Sequence, residues 1–503
     1  MFEPTKGASA QDLELDLAET HISVLVFWGD RAYKAAKPVA FAFIDQSTPA
    51  IRRQALKREL LLNRRLAPDV YLRVLDVRDS EGELVDAVLE MRRMPSERRL
   101  STLLARGDRR GHEGLEQVAR KLAAFHEQAA VAEDAERLAG QGALRSMWES
   151  NLKGLEPFED RLVPRSLLAD VTRLAHAYID GRGPLFEQRI EHGLIRDGHG
   201  DVLADDIFVL DDGPRILDCL AFDDDLRTTD VLADVAFLVM DLQRLGHVSW
   251  SVDLIRWYQE FTAELHPASL AHFYVAHRAL VRAKVACLSA VEPGDEHAGE
   301  ANALLAICRR HLQRAAPRLV LVGGEPGSGK STLAQGLSDQ LGWSVLRSDV
   351  ERKELAGLSS SDDASAPVGE GIYRPDMTAA TYDVLLSKAG ALLSMGESVI
   401  LDASWQSRIE RARARNLAMA SCTELAELRC EAPAQVTGER LLERELRPDS
   451  ASDATMEVAK SMHETFDAWP EAEPIRTDRD LRAEIDEAID VVGGRWPLAP
   501  TEC

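Results

Sequence analysis

The chain has 503 residues, too many for one ordinary domain, and 45% of them are hydrophobic, enough to build more than one core. Its formal net charge of −24 argues against a general nucleic-acid-binding surface, because phosphate contacts need positive patches. Six scattered cysteines show no CxxC pair, the N-terminus lacks a basic start followed by an apolar stretch, and no apolar run approaches the ~20 residues that span a bilayer, so a soluble cytoplasmic protein without membrane partners is expected.

From the N-terminus, "THISVLVFWGDRAYKAAKPVAF" reads as two strands around a Gly29-Asp30 turn. "STPAIRRQALKRELLLNRRLAPDVYL" predicts a helix opening near Ser47 or Thr48, and "LVDAVLEMRRMP" a further strand running into a hinge. "GLEQVARKLAAFHEQAA" places Leu115, Val118, Leu122 and Phe125 at helical spacing. From there to about residue 180 the pattern is mostly helical.

In "IRDGHGDVLADDIFVLDDGPRILDCLAFDDDLR", Ile207 to Leu210 is an apolar run, Asp211 to Pro214 a turn, and Arg215 to Leu217 a second short run. The nearly equal flanks bring Asp206 and Asp218 to one end of a hairpin, and His199-Gly200-Asp201 leads into that end. Three carboxylates so placed repel unless a cation joins them or one stays protonated. A divalent metal held together with a nucleotide is the economical explanation, and a surface hairpin with acidic ends is the plain one.

Near Arg309 to Arg318 a helix ends and a strand begins, the clearest boundary in the chain. The strand runs into "GGEPGSGKST": Gly324, four residues, then Gly329, Lys330 and Ser331. This is the P-loop (Walker A) spacing, between an apolar run and a helical segment. Its glycines let backbone N–H groups turn around phosphate oxygens, and the following helix adds its positive end. Gly324, Gly327, Ser328, Gly329, Lys330, Ser331 and Thr332 are the expected nucleotide-binding set. Lys330 reaches the β- and γ-phosphates, and Ser331 ligates Mg²⁺. ATP, with GTP as the alternative, and Mg²⁺ are therefore the expected cofactors.

Two further strands end in acids. Asp349, with Arg352 nearby, follows "SVLR", and Asp402 closes "SVILD". Both sit on the edge where parallel α/β sheets place ligands. Asp349 is placed to accept a proton from an acceptor hydroxyl and Asp402 to hold Mg²⁺, although either also suits a helix N-cap. Between them, residues 359 to 371 read as a mobile loop. Beyond, Arg440 and Arg444 share a helix face, with Arg447 one turn on. Such a face either neutralises transferring phosphoryl charge or is a solvated charged surface.

"GGEPGSGKST", "SDVERKELAGL", "VILDASW" and "SDAT" resemble the small P-loop kinases related to zeta toxins, gluconate kinase and polynucleotide kinase, from about Pro317 to the C-terminus. That resemblance implies γ-phosphate transfer to a hydroxyl, with Asp349 as the base. "DASW" stands where those relatives often read "DATF". "HGDVLADDIFV" followed by "ILD" resembles the aminoglycoside phosphotransferase branch of the protein-kinase-like fold, over about residues 15–300. By this resemblance Asp201 is the catalytic base, Asp218 and Asp206 hold Mg²⁺, and Lys34 or Lys37 pairs with Glu59. Asp206 stands where that family has Asn, and no GxGxxG loop covers the phosphates.

The order of the two halves resembles bacterial fusions of a phosphotransferase-like and a P-loop domain. The expected architecture is an α+β protein-kinase-like half over residues 1–312 (N-lobe about 1–98, helical C-lobe about 99–312) and an α/β P-loop half over 317–503. The expected activity is ATP-dependent phosphorylation of a hydroxyl on a small molecule, with Lys330, Asp349, Arg440 and Arg444 in the catalytic roles of the second half. A nucleic-acid or nucleotide-sugar kinase is the rival within the class. An ATP-dependent regulatory protein with a degenerate first half is the rival outside it. The acceptor and the oligomeric state are not written in the sequence.

Overall fold

The computed structural model describes residues 16–19, 22–41, 44–290, 296–359, 362, 370–445 and 456–493. The chain forms two compact units, Met1–Ala139 with Arg189–Leu265, and Gly140–Gln188 with His266–Cys503. The expected fold class is borne out: a mixed α+β N-terminal part and a parallel-sheet P-loop part at the C-terminal side.

The first unit opens with a five-stranded antiparallel sheet in the spatial order Asp16–Glu19, Ser23–Trp28, Arg31–Ala36, Leu84–Arg92, Tyr71–Arg78. Gly29 takes φ 60 in the expected tight turn between the second and third strands. The helix Pro49–Asn63 starts as its sequence predicts: Pro49 is its first residue, and Thr48 caps it by accepting from the Ile51 N–H at 3.3 Å. It packs Leu56 against Ala32, Ala87, Leu89 and Met91 of the sheet. The helix Arg109–Gln128 buries Leu115, Val118 and Leu122 of the stripe read from the sequence, while Phe125, its fourth member, is half-buried.

The acidic hairpin forms with a tighter turn than expected. Strands Ile207–Leu210 and Gly213–Ile216 pair antiparallel with Gly213 opposite Leu210, so the turn is Asp211-Asp212 alone. Gly213 takes φ 113, a conformation closed to most side chains, and this lets pairing resume two residues early. Behind the hairpin lies the helix Val231–Arg244, buried from Val231 through Leu242.

In the second unit a five-stranded sheet has the order Ser344–Arg347, Val399–Asp402, Arg318–Gly323, Glu424–Glu431, Glu473–Arg476, all parallel. Leu319 and Leu321 point to a core with Leu385, Leu401, Trp405 and Trp469, while Val320 and Val322 point to the opposite core with Leu333, Leu337 and Ile475. Period-two alternation in an uninterrupted apolar strand marks a sheet covered on both faces.

The same unit contains the helices Gln141–Lys153, Arg165–Gly181, Ala268–Ser289 and Glu296–Ala315. Arg182, fully buried, ties the end of Arg165–Gly181 to the sheet's helices: its guanidinium donates to the carbonyls of Leu393 at 2.6 Å, Ser421 at 3.2 Å and Cys422 at 3.4 Å. The contact is so close that a Cβ on Gly181 would lie 2.3 Å from the Ser421 carbonyl oxygen. Among the described residues no helix is long and apolar enough to cross a membrane.

Candidate active sites

The P-loop follows the central strand of the parallel sheet. Gly324 takes φ 135, and a Cβ there would meet the Cys430 carbonyl oxygen at 2.7 Å. Gly327 takes φ 79, with the Thr437 carbonyl oxygen 2.8 Å from its missing Cβ. The loop is thus pressed against the next strand and the helix Ala434–Glu445, and only glycine fits. Gly329, also left-handed, precedes the helix Lys330–Leu341, so Lys330, Ser331 and Thr332 form its first turn. Lys330 Nζ donates to the Glu325 carbonyl at 2.9 Å, which folds it back over the loop. Ser328 Oγ is buried and has no hydrogen-bond partner, while Thr477 Oγ donates to the Ser328 carbonyl at 2.5 Å.

Parallel register sets Asp402 level with Val322 on one side and Arg347 on the other. Asp402 is buried. Ser331 makes a side-chain hydrogen bond to it, and Arg347 Nε donates to its Oδ2 at 3.2 Å. Burial pushes its pKa up, against the pull of Lys330, Ser331 and Arg347, and the charge of Asp349 adds to the rise. Asp349 is half-buried in the first turn of the helix Ser348–Leu355. The sequence-predicted pair Asp349 and Asp402 therefore share one edge of the sheet with Lys330 and Ser331. Arg352 turns elsewhere, donating to the Ile372 carbonyl and to Thr378 Oγ1 at 3.2 and 3.0 Å.

Arg440 is committed to backbone. It donates to the Gly327 carbonyl at 3.4 Å and to the Thr477 carbonyl, so in this state it braces the P-loop. Arg444 lies on the same helix, but its side chain, like Arg447, the "SDAT" motif and most of the 359–371 loop, falls outside the described residues. Sequence reasoning missed Arg347, Thr477 and His463. The last places Nδ1 at 2.7 Å from Glu325 Oε1. None of the three carries a motif, and only the fold brings them to the loop.

In the first unit, Lys34 Nζ lies 2.7 Å from Glu59 Oε1 and 3.5 Å from Asp218 Oδ1. Burial works against the ammonium, but the two carboxylates outweigh it and hold its pKa above that of an ordinary lysine. Lys37 pairs instead with Glu19 at 2.5 Å. Asp218 sits at φ 63, uncommon for a non-glycine residue. It is held there by its own N–H donating to Tyr71 OH at 3.1 Å and by the Cys219 N–H donating to Asn63 Oδ1 at 2.9 Å. The Leu217 N–H donates to the Asp206 carbonyl at 2.9 Å, which brings the hairpin ends together as expected. Asp206 is half-buried, and desolvation together with the charges of Asp218, Asp201 and Asp205 raises its pKa well above the usual carboxylate range. Lys34 is therefore the cation beside Asp218, while the neighbouring carboxylates and burial both oppose the charge on Asp206.

Asp234, in the buried helix Val231–Arg244, was not picked out from the sequence. Its carboxylate accepts from the N–H groups of His199 and Gly200, each at 2.7 Å, which fixes the turn leading to Asp201. His126 Nε2 lies 3.1 Å from the same carboxylate, and His126 Nδ1 lies 2.8 Å from Tyr258 OH. Burial opposes the Asp234 charge, yet the hydrogen bond and field of His126, with the field and N–H of His199, hold its pKa below the ordinary carboxylate range. The signal was present as two acids, Asp234 and Asp241, inside an otherwise apolar twelve-residue stretch, Val231 to Leu242.

Among the described residues, no group of three or more His, Cys, Asp or Glu side chains is placed to hold a metal ion unaided. The P-loop cradle nevertheless fits a phosphate: Ser328 offers a buried hydroxyl with no hydrogen-bond partner, beside Gly324, Gly327 and Gly329 in the left-handed conformations such a loop uses. Ser331 and Asp402 supply oxygen donors only, the chemistry that suits Mg²⁺ sharing its coordination with a nucleotide.

Residues 319–469 match the family model described as AAA domain. Over 478 residues, 95% of each chain, the protein is 37% identical to the uncharacterized protein Rv2004c of Mycobacterium tuberculosis (strain ATCC 25618 / H37Rv) and, equally, to the uncharacterized protein Mb2027c of Mycobacterium bovis. The chain belongs to the family of these mycobacterial proteins. Among solved structures it is similar to a sugar kinase from Janibacter sp. HTCC2649, at 21% identity over 36% of this chain and 98% of that one, with a TM-score of 0.29. It is similar also to a choline/ethanolamine kinase family protein from Mesorhizobium loti, at 17% identity over 60% of this chain and 92% of that one, with a TM-score of 0.38.

Proposed function

We propose that the protein is an ATP-dependent phosphotransferase that moves the γ-phosphate to a hydroxyl of a small molecule, with the chemistry in the P-loop half, residues 317–503. The observation that carries this reading is the joint placement of Lys330, Ser331, Asp402 and Asp349 on one edge of the parallel sheet. In this reading the loop amides, Ser328 and Lys330 bind the phosphates, Ser331 and Asp402 hold the Mg²⁺, and Asp349 takes the proton from the acceptor hydroxyl. Bound Mg²⁺ supplies charge neutralisation between the phosphates. Arg440 keeps the loop in shape through Gly327 and Thr477, and Arg440 or Arg444 meets developing charge.

The half spanning residues 1–312 is then a second kinase or the acceptor-binding unit, with Lys34, Glu59, Asp201, Asp206 and Asp218 in the roles the kinase-like pattern implies. The regulatory alternative for this half has its sequence in its favour: between the strands ending at Glu19 and beginning at Ser23 there is no GxGxxG segment to cover phosphates. The test is a screen of small hydroxyl acceptors for ADP release by the full chain with Mg-ATP, repeated with Lys330→Ala and with Asp218→Asn. Turnover lost in the first and kept in the second supports the assignment. Turnover that survives Lys330→Ala overturns it.

A further inference from the structure

Arg347 closes the edge strand Ser344–Arg347 of the parallel sheet, and none of the roles above uses it. Val320, Ile400 and Val345, on three neighbouring strands, turn to the core that holds Leu333, Ala334 and Leu337 of the helix Lys330–Leu341. Side chains alternate along a strand, so two residues further on Val322, Asp402 and Arg347 stand side by side on that same face. Lys330 and Ser331 open the helix that covers it. Asp402 thus has the P-loop strand on one side and Arg347 on the other.

Arg347 differs from the other arginines around the loop in what its guanidinium holds. Arg440 is committed to the Gly327 and Thr477 carbonyls, and Arg352 to the Ile372 carbonyl and Thr378 Oγ1. Arg347 makes one contact, from Nε to Asp402 Oδ2 at 3.2 Å, and among the described residues its Nη groups have no partner. Asp402 holds the guanidinium at one point and leaves the rest of the fork free to donate. The Arg347 side chain is 35% exposed and that of Asp402 5%, so the pair reaches from the buried sheet edge into solvent. Asp349, the base of the reading above, lies two residues beyond Arg347 in the first turn of the helix Ser348–Leu355.

We propose that Arg347 is a further catalytic residue of the P-loop half, whose free Nη edge meets the transferring phosphoryl group from the Asp349 side of the site; this rests on the phosphotransferase reading above. In the transfer, the acceptor oxygen forms its bond to the γ-phosphorus as the bond from that phosphorus to the β–γ bridging oxygen breaks. The bridging oxygen leaves with the electron pair, on ADP, and the acceptor proton passes to Asp349. Between the two bonds the remaining phosphoryl oxygens carry the charge. Lys330 meets it from the P-loop side. A guanidinium already anchored at Asp402 meets it from the other side, with no loop having to close first.

The full chain is compared with Arg347→Gln and Arg347→Lys at saturating Mg²⁺. A fluorescent ATP analogue reads the ground state. ADP with aluminium fluoride, which mimics the phosphoryl group in transit, reads the transition state, and neither probe needs the acceptor to be known. Arg347→Gln should change affinity for the analogue by less than about threefold and weaken the fluoroaluminate complex by about tenfold or more. Arg347→Lys, which keeps a charge beside Asp402 but not the fork, should bind the analogue like the parent and recover only part of the fluoroaluminate affinity. Equal losses for both probes in Arg347→Gln overturn the assignment in favour of a role in shaping the site, and an undiminished fluoroaluminate complex overturns it outright. A parent chain that binds neither probe overturns the phosphotransferase reading of this half, and this proposal with it.

Discussion

Lys34 forms its ion pair with Glu59 at 2.7 Å, although Lys37, three residues on, is the same residue type in the same short segment. Side chains alternate along a strand, so Ala32, Lys34 and Ala36 share the face turned inward, with the two alanines buried beside the lysine stem. Both partners are mostly shielded from water, 18% and 13% exposed. Removing one leaves the other buried without its counter-charge, a loss on the order of 3 kcal/mol. Lys34→Met should therefore weaken the first unit by about that much, and the added Glu59→Leu should restore most of it. Hydrogen exchange at the amides of Arg31–Ala36 reads the effect locally. Lys37→Met, whose partner Glu19 is exposed, should change little.

Asp234 predicts an acid limb. Its folded pKa is depressed, so the unfolded chain binds the proton more readily than the native one. The stability it contributes is complete above the unfolded value of roughly 3.9 and is lost as pH falls below it towards the folded value. Asp234→Asn should flatten the loss of stability below about pH 4 while lowering stability at pH 7. Asp234→Ala, which leaves the His199 and Gly200 N–H groups buried without an acceptor, should cost about 3 kcal/mol or more. Thermal melts from pH 3 to pH 7 compare the three chains.

At the P-loop, Lys330→Ala should lower turnover with Mg-ATP by about 10²- to 10³-fold, the scale of removing one positioned charge donor. The sheet should persist, because the side chain belongs to the loop, where it donates to the Glu325 carbonyl, and to neither core that holds the sheet. ADP release and the far-ultraviolet circular dichroism of the full chain together check both halves of this expectation.

Asp349→Asn should separate binding from chemistry. Asp349 is half-buried and stands at the sheet edge rather than inside the loop, so nucleotide affinity should change little. Loss of a positioned base should cost about 10²- to 10⁴-fold in turnover at saturation. Equilibrium binding of a fluorescent ATP analogue, set beside turnover, distinguishes this from a nucleotide-binding role. Lost affinity with preserved turnover would contradict it.

The P-loop half was legible because its signals are local. An alternating apolar strand, glycines at required positive φ and an acid at a strand end are each written in a few adjacent residues. The hairpin carrying Asp206 and Asp218 was legible for the same reason, although its turn was drawn two residues too wide because Gly213 and Pro214 read as turn residues and are paired strand instead. Asp234 and Arg440 were not legible in their roles. Asp234 acts on N–H groups 35 and 34 residues away, and Arg440 on a carbonyl 113 residues away. Helical spacing shows that a side chain shares a face with its neighbours, and says nothing of which backbone lies opposite.

Arg182 has a consequence for how the protein is made. Its acceptor Leu393 lies 211 residues further along the chain, and the segment that completes the first unit is synthesised in between. While the ribosome works through that interval, the guanidinium and the end of its helix remain in water, waiting for carbonyls that do not yet exist. The first unit gains its last strand and helices by residue 265, whereas the second, begun at residue 140, closes only after the P-loop sheet has emerged. The segment inserted between Arg182 and its acceptors is thus complete before the helix that carries Arg182 can be closed.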